Sequence, residues 1–66
     1  MGIGQKIKEL RMQKGMIQET LAKELRIGRS TLANYELDER QIPNELIPVI
    51  AKYFGVTTDY LHGLED

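Results

Sequence analysis

The sequence predicts an all-α fold, a compact bundle of five short helices, and three observations predict it. Apolar residues recur at intervals of three and four along most of the 66 residues. Only two prolines interrupt a chain rich in Leu, Ile, Lys and Glu, and glycines fall where three of the apolar stripes stop. At this length there is room for one domain, residues 1–66, which buries roughly 60% of its unfolded surface. The chain has no cysteine, so neither disulfides nor thiolate metal sites can support that small core.

Each element follows from its own residues. Ile3, Ile7 and Leu10 share one face of a first helix over about residues 3–13, and Gly15 supplies its C-terminal stop. Leu21, Ala22 and Leu25 form the stripe of a second helix, about 18–25. Arg26-Ile27-Gly28 leaves room only for a tight turn, after which Leu32 and Tyr35 mark a third helix over about 29–36. Leu37 to Asn44 carries acids, a proline and no period, and reads as a loop. Leu46, Ile47, Ile50, Ala51 and Phe54 restore the helical period up to Gly55. Pro48 is tolerated if that fourth helix starts near Glu45, because amides in a first turn have no intrahelical acceptor. Thr57 can cap a last short helix, with Asp59 favourable in its first turn and Gly63 at its end.

Catalysis finds no footing in these residues. His62 is the sole histidine, no Ser/His/Asp or Cys/His set can be assembled, and no glycine-rich phosphate loop occurs. The chain is therefore expected to be no enzyme, with no metal, cofactor or small-molecule substrate. No apolar run approaches the ~20 residues that span a bilayer, and the N-terminus lacks a signal-peptide core, so a cytoplasmic location is expected.

The net charge of −1 conceals an asymmetry. Through Arg29 the chain is net +4, and from Ser30 onward it is net −5. A basic end of this kind permits a polyanion to dock despite the neutral total. Lys6, Lys8 and Lys14 are expected to form a solvated face that adds to this field.

The second and third helices, joined by three residues, are the informative pair. So tight a connection forces a steep crossing and leaves the third helix projecting, in a form able to enter a major groove. Its outward positions are Arg29, Ser30, Ala33 and Asn34. Arg suits guanine, Asn suits adenine, Ser suits either, and the Ala methyl suits thymine.

Over about residues 3–64 the chain resembles the Xre-type helix-turn-helix family, which includes the lambdoid phage repressors and Cro. The spacing of Leu10-Arg11, Gly15, Gln18, Leu21-Ala22, Leu32, Glu36, Ile50-Ala51, Phe54-Gly55-Val56 and Leu61 carries that resemblance. It implies a lambda-repressor-like five-helix bundle with its helix-turn-helix at about 18–36. It further implies a bacterial or phage-encoded transcriptional regulator, expected to be a repressor, that binds double-stranded operator DNA as a homodimer. On the matching positions, Arg29, Ser30 and Asn34 read bases. Gln18, Thr31, Arg40 and Gln41 touch the sugar-phosphate backbone, Gln18 also supports the base-reading residues, and Arg11 and Glu36 form a structural ion pair. Tyr60, Leu61 and Leu64 face either the core or a partner, and they are the apolar candidates for a dimer interface.

Three positions depart from the family pattern. Ile17 replaces a capping Ser or Thr, Arg26 replaces a turn Gly and should be held left-handed, and Gly28 replaces a capping Ser. The acidic second half also admits another reading, a module of the same fold that binds a protein partner, such as an antirepressor or a toxin, and no DNA.

Overall fold

The computed structural model describes residues 2–65, which form five helices and no strand. They are α1 (Ile3–Gln13), α2 (Gln18–Leu25), α3 (Arg29–Glu36), α4 (Leu46–Phe54) and α5 (Thr58–Leu61). The apolar period and the stop residues therefore placed all five to within a residue or so.

The core takes one fully buried large side chain from each helix: Ile7, Leu21, Leu32, Ile50 and Leu61. Leu10, Ala22, Leu25, Tyr35 and Ala51 complete the helical contribution. Ile42 adds a side chain from the α3–α4 loop, 4% exposed, which no periodic pattern announces. Leu61 requires a correction. Expected as a dimer contact, it is 1% exposed, because the last helix is only four residues long and needs an apolar anchor to stay docked.

All five helices end in the same way. The residues in left-handed conformation are Gly15, Arg26, Asp38, Gly55 and Gly63, one after each helix. At each, two backbone bonds close the last turn; Ile27 N–H to the Ala22 carbonyl and Arg26 N–H to that of Lys23 are the pair after α2. Glycine adopts this backbone freely, whereas Arg26 (φ 60°) and Asp38 (φ 58°) carry the strain of a Cβ there.

The helix starts differ more. Thr57 caps α5 as expected, its Oγ1 accepting from Tyr60 N–H at 3.0 Å. Pro48 is the third residue of α4 and displaces no helical bond. Ile17 and Gly28 stand in extended backbone before α2 and α3 with no side-chain cap. For α1 the cap comes from far along the chain, since Gly4 N–H donates to Asp38 Oδ1 at 2.9 Å.

Helix α3 packs on both α1 and α2, and α5 packs on α1 and α4. This arrangement leaves the outer side of α3, from Arg29 to Asn34, at the surface of a body measuring 28 × 23 × 20 Å.

Candidate nucleic-acid interface

The site is built on an ion pair beneath the helix-turn-helix. Arg11, from the last turn of α1, donates from Nε to Glu36 Oε2 at 2.7 Å and from Nη2 to Glu36 Oε1 at 3.1 Å. Its Nη1 donates to the Met16 carbonyl oxygen at 2.7 Å. Arg11 is 9% exposed and Glu36 is 3% exposed. A guanidinium fork matched to both oxygens of a carboxylate fixes direction as well as distance. The pair therefore ties the C-terminal end of α3 to α1 and to the turn that follows α1.

The N-terminal end of α3 is set by the turn. Arg26 in left-handed backbone reverses the chain, and Gly28 in extended backbone lets α3 begin at once. Arg29 and Ser30 are exposed there, while Thr31, Ala33 and Asn34 are half-buried at the surface of the helix. The expected base-reading residues Arg29, Ser30 and Asn34 thus share the outer side of one helix. Gln18, at the start of α2, lies against them. Its Nε2 donates to Glu36 Oε1 at 3.0 Å, and its Oε1 accepts from Arg29 Nη1 at 3.4 Å.

Arg40 and Gln41 lie exposed in the loop after α3. With Gly2, Ile3, Asn44 and His62 they line an open cleft of about 430 Å³. Asp38, in the same loop, turns its carboxylate inward onto α1. Sequence reasoning missed this residue, although a signal was present: Gly4, a poor helix former, stands inside a helical stripe, as a position crowded by a neighbouring backbone would.

Two of the three lysines expected as a solvated face, Lys6 and Lys14, are more engaged than that. Lys6 Nζ sits 4.6 Å from the centre of the Tyr60 ring, and Lys14 Nζ sits 5.1 Å from that of Tyr53. Desolvation and the Glu24 carboxylate, which accepts from the Tyr53 hydroxyl at 3.3 Å, raise the phenol above its ordinary value. Of the apolar residues expected to meet a partner, Tyr60 is half-buried under Lys6, and Leu64 is 74% exposed. None of the described helices is long and apolar enough to cross a membrane.

Residues 7–61 match the family model described as helix-turn-helix. Among curated relatives, the chain is 35% identical over 66 residues to the HTH-type transcriptional regulator ImmR of Bacillus subtilis, all of this chain and 52% of that protein. It is 33% identical over 66 residues to the HTH-type transcriptional activator BcrR of Enterococcus faecalis, again all of this chain and 32% of that protein. The B. subtilis regulator YobD is 29% identical over 62 residues, 94% of this chain and 55% of that protein. The chain thus spans about half or less of the length of these relatives. Among solved structures, the P22 c2 repressor in complex with a synthetic operator superposes with a TM-score of 0.87, at 20% identity and covering 98% of both chains.

Proposed function

The chain belongs to the helix-turn-helix family, and from that premise we propose that it is the sequence-specific, double-stranded DNA-binding domain of a transcriptional regulator. The observation that carries this reading is the outer side of α3, where Arg29, Ser30 and Asn34 stand together on a helix locked from beneath by Arg11 and Glu36. Two of the relatives matched above are named as transcriptional regulators and a third as a transcriptional activator, and the structural neighbour was solved on an operator, which supports the same reading.

Binding proceeds in two physical steps. The basic half of the chain brings the domain to the phosphate backbone, and release of counterions supplies affinity that does not depend on sequence. Helix α3 then enters the major groove and reads donor and acceptor patterns on the base edges. Arg29 offers a donor fork to guanine, Asn34 a donor and an acceptor to adenine, and Ser30 a hydroxyl to either. Gln18, through its second N–H, and Thr31 hold phosphates beside the groove, and Arg40 and Gln41 follow the backbone onward.

One α3 reads only a short half-site. A homodimer on a palindromic operator doubles the reading, with half-sites about 34 Å apart along one face of the duplex. Exposed Leu64 and half-buried Tyr60 supply apolar surface for that contact. The working compartment is then the cytoplasm, where the duplex is.

Selection of bound duplexes from a random pool tests the reading. The expected result is a palindromic consensus with half-sites one helical turn apart. A pool that stays random through successive rounds overturns it and favours a module that binds a protein partner.

A further inference from the structure

Helix α4 carries more apolar side chains than the core takes up. Lys52 is the only charged residue among its nine, and only Ile50 and Ala51 are buried. Leu46, Ile47, Tyr53 and Phe54 are half-buried, while Pro48, Val49 and Lys52 are exposed. Glu45 is exposed as well, and its helical backbone (φ −71°, ψ −18°) extends the register of α4 by one residue.

These exposed positions form one stripe. Seven residues advance a helix by about two full turns and about 10 Å, so Glu45 and Lys52 lie at the two ends of one face. Pro48 and Val49 stand between them. The helix itself accounts for part of this pattern. An acid at its start and a base in its last turn both suit its dipole, and proline is tolerated in a first turn. Val49 is left over. It is β-branched, a weak helix former and 51% exposed, and an isolated helix gains nothing from it on the solvent side.

We infer that this stripe is a self-association surface, on which α4 of a second copy lies antiparallel about a two-fold axis. The order of the residues selects that occupant. Reversal about the midpoint of the stripe, between residues 48 and 49, exchanges 45 with 52 and 48 with 49. Glu45 of each copy then meets Lys52 of the other, and Pro48 of each packs on Val49 of the other. Neither charge has an ion-pair partner among the described residues. The antiparallel arrangement also sets opposite helix-dipole ends side by side. A parallel pairing would set like charges together at both ends, so the stripe specifies direction as well as contact. One pair of helices covers less than a standard interface of about 1,600 Å², so the contact is weak. Copies held near one another on a single duplex would engage it through their high effective concentration. The surface is separate from Leu64 and Tyr60, and the inference does not rest on the DNA-binding reading.

Sedimentation equilibrium of the free chain up to millimolar concentration, without DNA, tests it. Every chain also carries Leu64→Asp, which silences the contact proposed after α5. That background should form a weak dimer. Glu45→Lys places positive charge at both ends of the stripe, and Lys52→Glu places negative charge at both. Each alone should lower the association constant on the order of tenfold or more, two attractions having become two repulsions. An equimolar mixture of the two variants should associate again, because each then faces its complement. The double exchange Glu45→Lys/Lys52→Glu should likewise associate by itself. A monomer at every concentration overturns the proposal and leaves the stripe to a different protein. A dimer that is indifferent to both single exchanges, or a mixture that fails to recover, overturns it too.

Discussion

Gly4 stands so close to Tyr35 that a Cβ built on it would lie 1.9 Å from the Tyr35 backbone carbonyl oxygen. The first turn of α1 therefore rests directly on the end of α3, backbone against backbone. Gly→Ala within a helix ordinarily gains about 1 kcal/mol. At position 4 the sign reverses, because the atom struck belongs to a backbone and cannot rotate away. Gly4→Ala should lose about 1–3 kcal/mol or more in denaturant melts, in the range of an overpacked core. An unchanged midpoint would mean that α1 and α3 are not held at this separation in solution.

Two helix ends place a side chain where glycine is favoured, and they should respond in opposite ways. Left-handed backbone costs an L-residue about 1–2 kcal/mol, part of which glycine gives back through its greater freedom in the unfolded chain. Arg26 has no side-chain partner among the described contacts, so Arg26→Gly should stabilise the fold by about 0.5–1 kcal/mol. Asp38 carries the same strain, but its carboxylate caps α1 through Gly4 N–H. Asp38→Gly should lose about 0.5–2 kcal/mol of capping against that relief, and so gain nothing. Equal rises in melting temperature for both variants would remove the capping role of Asp38.

These contrasts explain what was legible in the sequence. Ile7, Leu21, Leu32 and Ile50 declare themselves by period, because a helix must put its apolar residues on one side to bury them. The three-residue turn and the cap at Thr57 are equally local. The Arg11–Glu36 pair and the role of Gln18 came from family resemblance, since no spacing rule links positions 11, 18 and 36, whereas Arg29 and Asn34 follow from the outward positions of a short helix after a tight turn. The placement of Asp38, Ile42 and Leu61 was not legible. Whether a loop carboxylate turns toward a helix end, or a C-terminal leucine turns inward, depends on contacts between segments far apart in the chain.

Removing either member of the Arg11–Glu36 pair leaves the other buried and charged. That costs about 3–5 kcal/mol when burial is complete, whereas replacing both by apolar groups is often near neutral. A domain of this length has little more than that to lose. Arg11→Met and Glu36→Leu alone should each melt far below the parent, and the double variant should recover much of the difference. The four melts together give the coupling energy, and strictly additive losses would show that the two charges do not meet.

Leu61 and Leu64 should separate core from interface. Leu61 is fully buried, so Leu61→Ala should cost about 2–5 kcal/mol of stability whatever the oligomeric state. Leu64 is exposed, and Leu64→Asp should leave the melting temperature nearly unchanged while abolishing cooperative binding to the selected duplex. Sedimentation that shows one and the same monomer for the wild type and Leu64→Asp, with and without DNA, would remove Leu64 from any interface.

Base contact and phosphate contact should separate in the same manner. Arg29 and Asn34 lie on the outer side of α3, whereas Arg40 lies in the loop beyond it. A group that reads a base edge gains its energy only from the right base. Arg29→Ala or Asn34→Ala should therefore cost about 1–3 kcal/mol on the selected duplex and little on random DNA. A group that pairs with a phosphate meets the same charge on every duplex and displaces a counterion from each. Arg40→Ala should weaken both substrates alike and reduce the slope of log affinity against log salt by about 1. Titrations of each variant on both duplexes at several salt concentrations read these quantities directly. Equal losses on both duplexes for Arg29→Ala, with a reduced salt slope, would make Arg29 a phosphate contact and move the reading of bases elsewhere on α3.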